Sequence, residues 1–340
     1  MKTIIKPKLE EQRAHAFDKR VMEREAAKGT PDPSVFYRTD TEPIEKIDIM
    51  QMREDMKNRG EDITKSDIQR EAKLIFIHDH YINIYIYQCA DRAENRAAVL
   101  FLHGGGFIGG EAGARENQCR YLAEQSGALI ISCDYRLAPE QMFPAAVEDA
   151  CGTLDWMIQK AETLGIDADK IVVAGDSAGA NLAANCVFHD SENRIRLAVY
   201  IYGALDLTSA QDTFYKWDYT LYQMEEEQKE YIMRRLYRFK HMSELIQKLY
   251  VPKGHPMDDP MISPIYADNF QGHPDTLMIE AEFDYFRICN DAYAEKLEKA
   301  GSSVEILFYE GMDHAFFDRI GMLEQAADCI REIAKRIIKL

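Results

Sequence analysis

Residues 171–179 read Ile-Val-Val-Ala-Gly-Asp-Ser-Ala-Gly, a short apolar strand that runs directly into a Gly-x-Ser-x-Gly turn. A helix-like stretch, residues 180–184, follows at once. A strand-to-helix turn this tight needs small residues on both sides of the serine, and it lifts the hydroxyl clear of the sheet. The pattern therefore predicts that Ser177 is an exposed nucleophile, although a glycine-rich turn without chemical importance also fits these five residues.

The alternation of strand and helix continues on both sides of Ser177. Strand-length apolar runs without polar alternation indicate strands that are covered on both faces, as in a parallel sheet flanked by helices. The sequence thus predicts an α/β fold with a mostly parallel, doubly wound sheet. Strands are predicted at residues 97–102, 128–132, 171–174, 197–202, 276–281 and 304–309, and helices at 117–125, 145–160, 178–189 and 289–300.

Two segments interrupt this alternation and are predicted to form a helical cap. Residues 1–70 are charged and Met-rich, with helix-like stretches at 10–28 and 47–59. Residues 207–265 separate two strands, and a long excursion of this kind is usually a lid or a binding element. The predicted division is therefore a cap made of 1–70 and 207–265, and a core made of 71–206 and 266–340.

The first part of the sheet is predicted to be an antiparallel hairpin. Residues 74–77 and 82–87 are β-branched and aromatic runs on either side of the polar turn His78-Asp79-His80. Two histidines so close together also suggest a metal ligand pair. A hairpin turn collects polar residues without any metal, however, and no helical His-x-x-x-His accompanies these two. We therefore predict a structural turn and no metal site.

Composition restricts the class of protein. The net charge of −17 repels phosphates and anionic lipids, so we expect neither a nucleic-acid partner nor a membrane surface as a partner. The seven cysteines include no Cys-x-x-Cys pair and are expected to be reduced. No apolar stretch approaches the roughly 20 residues of a membrane span. These features predict a cytoplasmic protein, and they leave a homo-oligomer open.

A second glycine-rich segment, His103-Gly104-Gly105-Gly106-Phe107, follows the strand at 97–102. Attack by a serine on a carbonyl creates an oxyanion that must meet preorganised N–H donors. Glycines allow the backbone to approach the substrate oxygen, and the N–H of Ala178 would complete the site. We expect Gly105 and Gly106 to donate, while the sequence leaves Gly104 among the candidates. A phosphate-binding loop is the alternative, but this segment lacks the lysine and the spacing of a P-loop.

The general base must be a histidine late in the chain, because this fold places the serine first, then the acid, then the histidine. His314 lies in a loop after the last predicted strand. His255 and His273 precede the penultimate strand, and His103 belongs to the glycine loop. Only His314 has the expected position, so we predict that it accepts the proton of Ser177.

The acid should follow the penultimate strand, where three carboxylates stand close together. Asp284 lies in the loop beyond this strand and would hold the imidazole in the reactive tautomer. Glu280 and Glu282 are the competitors, and either one can instead be a surface charge or an ion-pair partner of Arg287. The order of elements favours Asp284.

With these segments identified, the sequence resembles the hormone-sensitive-lipase-like esterases, the bacterial family IV lipolytic enzymes, in the branch with a Gly-Asp-Ser-Ala-Gly serine motif. The glycine loop matches the defining loop of that family. Residues 134–140, Asp-Tyr-Arg-Leu-Ala-Pro-Glu, and 143–146, Phe-Pro-Ala-Ala, match its second hallmark, which braces the active site. The likeness spans about residues 74–335. It implies an α/β-hydrolase fold, a helical cap, no cofactor, and hydrolysis of short-chain acyl esters by Ser177, His314 and Asp284.

The sequence departs from that family in two places. Residues 285–288 read Tyr-Phe-Arg-Ile where relatives often have Pro-Leu-Arg-Asp, and Tyr202-Gly203 stands where a proline is common. Neither change touches the predicted triad, but both can reshape the pocket. Two other functions stay open on the same scaffold: a non-catalytic receptor for a small ligand, and an amidase or peptidase that uses the same triad.

The inserted segment 207–265 is unusually aromatic. Flat rings favour substrates with aryl or sugar-like faces, so one hypothesis is a preference for such esters. The alternative is that the rings pack the interior of the cap itself. The residues concerned are Phe214, Tyr215, Trp217, Tyr219, Tyr222, Tyr231, Tyr237, Phe239 and Tyr250.

Overall fold

A computed structural model describes residues 1–8, 13–36, 47–57, 60–91, 94–208 and 214–340. In these ranges nine strands form one sheet. They are β1 Lys2–Lys6, β2 Ile68–Ile77, β3 His80–Cys89, β4 Arg96–Leu102, β5 Leu129–Cys133, β6 Ile166–Asp176, β7 Ile195–Ile201, β8 Asp275–Phe283 and β9 Val304–Asp313. Their order across the sheet is β1-β9-β8-β7-β6-β4-β5-β3-β2.

All neighbouring strands are parallel except β2 with β3 and β3 with β5. The predicted, mostly parallel α/β sheet is therefore confirmed, and its antiparallel hairpin turns at His78-Asp79 as predicted. Leu102 pairs with Gly175, and Asp176 pairs with Ile201. The carboxyl ends of β4, β6 and β7 thus meet at one edge, where the loops after them converge.

The helices cover both faces of this sheet. Successive residues of one strand point to opposite faces, so Val172 and Val173 of β6 belong to two different core clusters. The described helices are α1 Lys19–Ala26, α2 Ile49–Asp55, α3 Glu116–Ser126, α4 Ala145–Gln159, α5 Ala161–Leu164, α6 Ala178–His189, α7 Lys229–Tyr250, α8 Arg287–Lys299 and α9 Glu324–Ile337. Helices α4, α6 and α8 pack on one face, and α3 and α9 on the other. Among the helices described, none combines the length and the apolar composition that a bilayer crossing requires.

The N-terminal segment differs from the expectation of a purely helical cap. Residues 2–6 form β1, which pairs in parallel with β9 at the edge of the sheet. The β-branched run Thr3-Ile4-Ile5 suits a strand, and β9 offers it an unpaired edge. In the described part of these segments, α1 begins at Lys19 after its cap Asp18, and α2 begins at Ile49 after its cap Asp48, both later than predicted.

The inserted segment contains α7, the longest helix in the described ranges. Parts of several predicted segments, residues 10–12, 58–59 and 209–213, lie outside the described residues. The division into a core and a cap at the predicted boundaries stays a prediction. All seven cysteines are free thiols, and all except Cys89 are buried.

Candidate active site

Ser177 stands in a strained turn between β6 and α6. Its φ of 53° and ψ of −114° lie in a region that L-residues rarely adopt, and its N–H donates to the carbonyl of Ile201 at 2.9 Å. A Cβ added at Gly175 would overlap the backbone of Gly179, and one at Gly179 would overlap the carbonyl oxygen of Leu102. The two glycines are therefore required by packing, and the turn they allow leaves the serine side chain partly exposed.

The three residues predicted from the order of the elements form one hydrogen-bonded chain. Nδ1 of His314 lies 2.7 Å from Oδ2 of Asp284, and Nε2 lies 3.0 Å from Oγ of Ser177. An ionised carboxylate can only accept, so Nδ1–H donates to Asp284 and the serine hydroxyl donates to Nε2. Asp284 and His314 are both buried. Oδ1 of Asp284 also accepts the N–H of Phe286 at 2.8 Å, which fixes the carboxylate plane.

Aromatic rings surround the imidazole of His314. The ring centroids of Tyr202, Phe239 and Phe286 lie 4.6, 4.2 and 5.5 Å from its centroid. Tyr202 and Phe286 belong to the two places where the sequence departs from the family pattern. The departures therefore supply bulky, apolar walls beside the histidine.

Glu280 and Glu282, the other two candidates for the triad acid, have surroundings different from those of Asp284. Glu280 is buried on β8, where burial and then the neighbouring charge of Asp291 raise its pKa well above the usual range. Glu282 accepts the N–H of Gly311 at 2.7 Å and lies 3.1 Å from Nδ1 of His15. Neither carboxylate is paired with His314 in the described structure.

The competing histidines are also engaged elsewhere. Nδ1 of His103 lies 2.9 Å from the carbonyl of Gly104, and its ring stacks on Tyr135. Burial lowers the pKa of His103, so this imidazole is neutral near pH 7. His255 pairs with Asp259, whereas His273 lies between Tyr200 and Thr276.

The backbone amides of the glycine loop differ in whether they already have an acceptor in the protein. The N–H of Gly104 donates to Oδ1 of Asp176 at 2.9 Å and is not free for a substrate oxygen. Within the described residues, the N–H groups of Gly105, Gly106 and Ala178 donate to no protein acceptor. The amides of Gly105, Gly106 and Ala178 therefore stay candidates for oxyanion donors, whereas that of Gly104 already has an acceptor.

The residue before the serine belongs to a buried ion cluster that the sequence did not predict. Asp176 accepts Nε of Arg115 at 3.0 Å and Nη2 at 2.8 Å, and Arg115 also pairs with Asp318 at 2.9 Å. Burial alone would lower the pKa of Arg115, but the two carboxylates outweigh it and raise that pKa. A charged residue inside the tight turn is the signal that could have indicated such a partner, because a buried carboxylate is rarely left unpaired.

The segment at residues 134–146 braces the glycine loop, as its resemblance to the family hallmark implied. The hydroxyl of Tyr135 donates to the carbonyl of His103 at 2.7 Å, and the N–H of Ala138 donates to the carbonyl of Phe107 at 2.8 Å. Arg136 of the same segment is anchored by both carboxylate oxygens of Asp149. The glycine loop is thus held by hydrogen bonds from this segment.

Helices of the two predicted cap segments lie over the same loop. Arg53 of α2 donates to the carbonyls of Ile108 and Ala138, at 2.7 and 3.0 Å. On α7, Ile246 would contact a Cβ at Gly106, and Tyr250 stacks on Phe107 with centroids 4.0 Å apart. Phe239, Ile246 and Tyr250 stand at i, i+7 and i+11, so one face of α7 covers the site.

The turn that suggested a metal site is held by protein contacts. Nε2 of His80 lies 2.8 Å from Oδ1 of Asp149, and Nδ1 lies 3.1 Å from Oδ1 of Asp79. Over the residues that the structure describes, no group of three or more histidine, cysteine or carboxylate side chains is arranged to hold a metal ion.

The family model and the sequence relatives that match this chain indicate the same class of protein. A family described by its α/β-hydrolase fold matches residues 99–318. An ethyl acetate hydrolase from Pseudomonas putida is 32% identical, over 74% of this chain and 75% of that protein. An arylesterase from Saccharolobus solfataricus is 27% identical, over 90% of this chain and 96% of that protein.

The solved structures that superpose on this chain belong to the same class of protein as the sequence relatives. An esterase from Pyrobaculum calidifontis superposes with a TM-score of 0.73 and 28% identity, covering 91% of this chain and 99% of that one. These relatives confirm the predicted fold and the predicted enzyme class, a carboxylic ester hydrolase. The chain therefore belongs to the α/β-hydrolase family, in the hormone-sensitive-lipase-like group that its motifs resemble.

Proposed function

We propose that this chain hydrolyses carboxylic esters with short acyl groups, and that Ser177, His314 and Asp284 are its catalytic triad. The observation that carries the proposal is the chain of two hydrogen bonds, 2.7 and 3.0 Å long, from Asp284 through His314 to Ser177. A nucleophile, a base within hydrogen-bond reach and a third group that orients the base are the parts that covalent ester hydrolysis requires.

The first half of the reaction acylates the serine. Oγ of Ser177 attacks the ester carbonyl while its proton passes to Nε2 of His314, and the carbonyl oxygen becomes an oxyanion. Two of the three amides of Gly105, Gly106 and Ala178 stabilise that oxyanion, and each such donor is worth roughly 3–4 kcal/mol. The tetrahedral intermediate then expels the alcohol, which takes the proton from His314.

The second half repeats these steps with water. His314 takes a proton from the attacking water, the new oxyanion occupies the same amides, and the proton returns to Oγ of Ser177 as the acid leaves. Asp284 stays ionised throughout and stabilises the imidazolium. This proposed reaction scheme uses no cofactor or metal.

The covering face of α7 supports a preference for small acyl groups. Ile246 lies against Gly106 in the loop of proposed oxyanion donors, and Phe239 lies against the imidazole of His314. We expect these two side chains to restrict the size of the acyl group that can reach Ser177. The name of one relative, an ethyl acetate hydrolase, also points to a small acyl group.

Most rings of the inserted segment are engaged in packing. Trp217 donates to the hydroxyl of Tyr222 at 3.1 Å and packs edge-on against Tyr237. Tyr222 in turn donates to the carbonyl of Asp284 at 2.7 Å. These contacts favour packing over recognition of an aryl substrate, and Phe239 is the ring of this segment that we assign to the pocket.

The experiment that tests the proposal is hydrolysis of p-nitrophenyl esters from acetate to long acyl chains by the wild-type chain and by Ser177→Ala. We expect turnover that falls as the acyl chain lengthens, and a loss of at least about 10³-fold in Ser177→Ala. Circular dichroism checks that the variant is folded. Equal turnover by both proteins would contradict the assignment of Ser177.

The same series separates the alternative functions. A matched p-nitroanilide that is cleaved as fast as the ester would indicate an amidase, whereas binding without turnover would indicate a receptor. Equal turnover of aliphatic and aryl esters would contradict any aryl preference. A small-molecule ester as the partner, no nucleic-acid partner and a cytoplasmic location stay predictions from composition and resemblance, and the oligomeric state stays open.

A further inference from the structure

Arg235 on α7 contacts two consecutive residues, Asp313 at the end of β9 and His314 in the loop that follows. Its Nε lies 2.7 Å from Oδ2 of Asp313, and its Nη2 donates to the carbonyl oxygen of His314 at 3.1 Å. Both Arg235 and Asp313 are buried. Arg235 therefore binds the carboxylate of Asp313 and the backbone carbonyl of His314. A single side chain of the inserted segment thus contacts both residues.

Asp313 is the point at which several parts of the chain meet. It pairs with Arg24 of α1, with Arg235 of α7 and with Arg319, which follows it in the same loop. Burial alone would raise the pKa of Asp313, but the three arginine charges outweigh it and hold that pKa well below its usual range. The carboxylate stays ionised, so α1 and α7 are both tied to the loop of His314.

A second contact runs from Arg235 to the imidazole ring. The guanidinium carbon of Arg235 lies 4.8 Å from the ring centroid of Phe239, and the Phe239 ring lies 4.2 Å from that of His314. The next residue, Ala315, has φ of 67°, a strained conformation for a side chain with a Cβ. Such a turn persists only where its surroundings hold it, and Arg235 is one of the groups that hold it.

We infer that Arg235 is a positioning residue for His314, and that α7 completes the triad instead of merely covering it. The inference rests on the proposed function, since it assigns a role within that triad. In the described structure no hydrogen bond or ion pair joins Arg235 to Ser177 or Asp284, and it acts through the backbone and the ring packing of the histidine. Without it, the imidazole is expected to lose its alignment with one or both of its partners.

The test compares Arg235→Met with Arg234→Met. Arg234, the preceding residue on α7, donates to the carbonyl of Gly29 at 2.8 Å and pairs with Glu25 at 3.1 Å. Arg235 also faces Glu25, at 3.7 Å. Both substitutions thus weaken the attachment of α7 to the N-terminal segment, but only Arg235→Met removes the contacts to the His314 loop.

For p-nitrophenyl acetate we expect Arg235→Met to lower kcat by about 10- to 100-fold, because a misplacement near 1 Å costs up to about 10²-fold. KM should stay within about twofold, since Arg235 binds no substrate. Arg234→Met should keep kcat within about twofold of the wild type. Arg235→Lys should give an intermediate kcat, because one ammonium group cannot serve both Asp313 and the carbonyl of His314.

Three results would overturn the inference: a wild-type kcat in Arg235→Met, a raised KM with unchanged kcat, or equal losses of kcat in the two methionine variants. If Arg235→Met does not fold, as judged by circular dichroism, Arg235→Lys decides, and a wild-type kcat there overturns the inference.

A wild-type chain without ester turnover speaks against the proposed function instead. The rate at which a fluorophosphonate labels Ser177, which needs an aligned histidine but no particular ester, is then compared among the same variants.

Discussion

The N–H of Gly104 donates to Oδ1 of Asp176 at 2.9 Å, so the residue before Ser177 holds the loop after β4. Asp176 also accepts two hydrogen bonds from Arg115, and both side chains are buried. The serine turn and the loop of proposed oxyanion donors are therefore tied to one carboxylate. This arrangement fixes the distance between the nucleophile and the amides of Gly105 and Gly106.

We predict that Asp176→Asn destabilises the fold and slows catalysis. It leaves Arg115 buried with only Asp318 as a charged partner, and breaking a buried ion pair costs about 3–5 kcal/mol. The glycine loop also loses its charged acceptor, so kcat should fall by about 10²-fold. Urea unfolding and ester turnover measure the two effects.

Asp62→Asn is the matched control for Asp176→Asn. Asp62 pairs with Arg120 at 3.0 Å on the surface, and an exposed pair contributes less than about 1 kcal/mol. A loss of stability in Asp176→Asn as small as that of the control would contradict the role of the buried cluster.

A second prediction concerns the acid of the triad. Asp284→Asn keeps the shape of the side chain but offers an amide to Nδ1 of His314, which favours the wrong tautomer. We expect kcat to fall by roughly 10³- to 10⁴-fold, as in serine proteases with the same change. Glu282→Gln removes a neighbouring carboxylate, which accepts the N–H of Gly311 and is not paired with His314. The kcat of this variant should stay within about tenfold of the wild-type value. Turnover of p-nitrophenyl acetate checks both, and a larger loss in Glu282→Gln would mean that the acid is misassigned.

A third prediction concerns the glycine that follows the serine by two residues. A Cβ at Gly179 would overlap the backbone carbonyl of Leu102, and neither the first turn of α6 nor the end of β4 can shift without moving Ser177. We expect Gly179→Ala to lose more than about 4 kcal/mol or to remain unfolded. Thermal unfolding followed by circular dichroism measures the loss.

Gly152→Ala is the comparison, because Gly152 also lies in a helix but the atoms nearest to an added Cβ are side-chain atoms of Ile77 and His78, at 3.2 to 3.3 Å. Alanine gains about 1 kcal/mol of helix propensity there, which offsets the crowding, so the change should stay within about 1 kcal/mol. Similar stability of the two alanine variants would show that the close approach of α6 to β4 is not required.

The fold could be predicted because its strands are continuous apolar runs and its helices follow them in strict alternation. The predicted bounds of α6 at residues 178–189 agree with the structure. Ser177 and His314 are separated by 137 residues yet lie 3.0 Å apart, because the loops after β6 and β9 open at the same edge of the sheet. The order of serine, acid and histidine along the chain predicted three residues, Ser177, Asp284 and His314, that the structure joins by two hydrogen bonds.

The contacts that the sequence did not predict join residues far apart along the chain, and no local pattern encodes them. β1 is a strand because β9, some 300 residues later, offers it an edge. The partner of Asp176 is Arg115, 61 residues earlier, and the bond to Gly104 removes one candidate amide that the sequence had to leave open. The hydrogen bond from Arg235 to His314 joins the inserted segment, which has no recognisable motif, to the loop after β9.

A buried histidine away from the active site links the fold to pH. Burial lowers the pKa of His273 to about 4, and its imidazole nitrogens lie 3.1 Å from the hydroxyls of Tyr200 and Thr276. In the unfolded chain this pKa has its ordinary value of 6.5. As the pH falls below 6.5 the unfolded state binds the proton first, so His273 makes the protein less stable on the acid side.

We therefore predict that His273→Gln is destabilised at pH 7.5 and that its deficit relative to the wild type shrinks by about 2 kcal/mol at pH 5, because the unfavourable proton uptake is gone. Urea unfolding at the two pH values measures the deficit. Tyr200→Phe removes one contact of the ring but keeps the imidazole buried, so its deficit should be the same at both pH values. A deficit of His273→Gln that does not change with pH would mean that the buried imidazole accepts its proton as readily in the folded protein as in the unfolded chain.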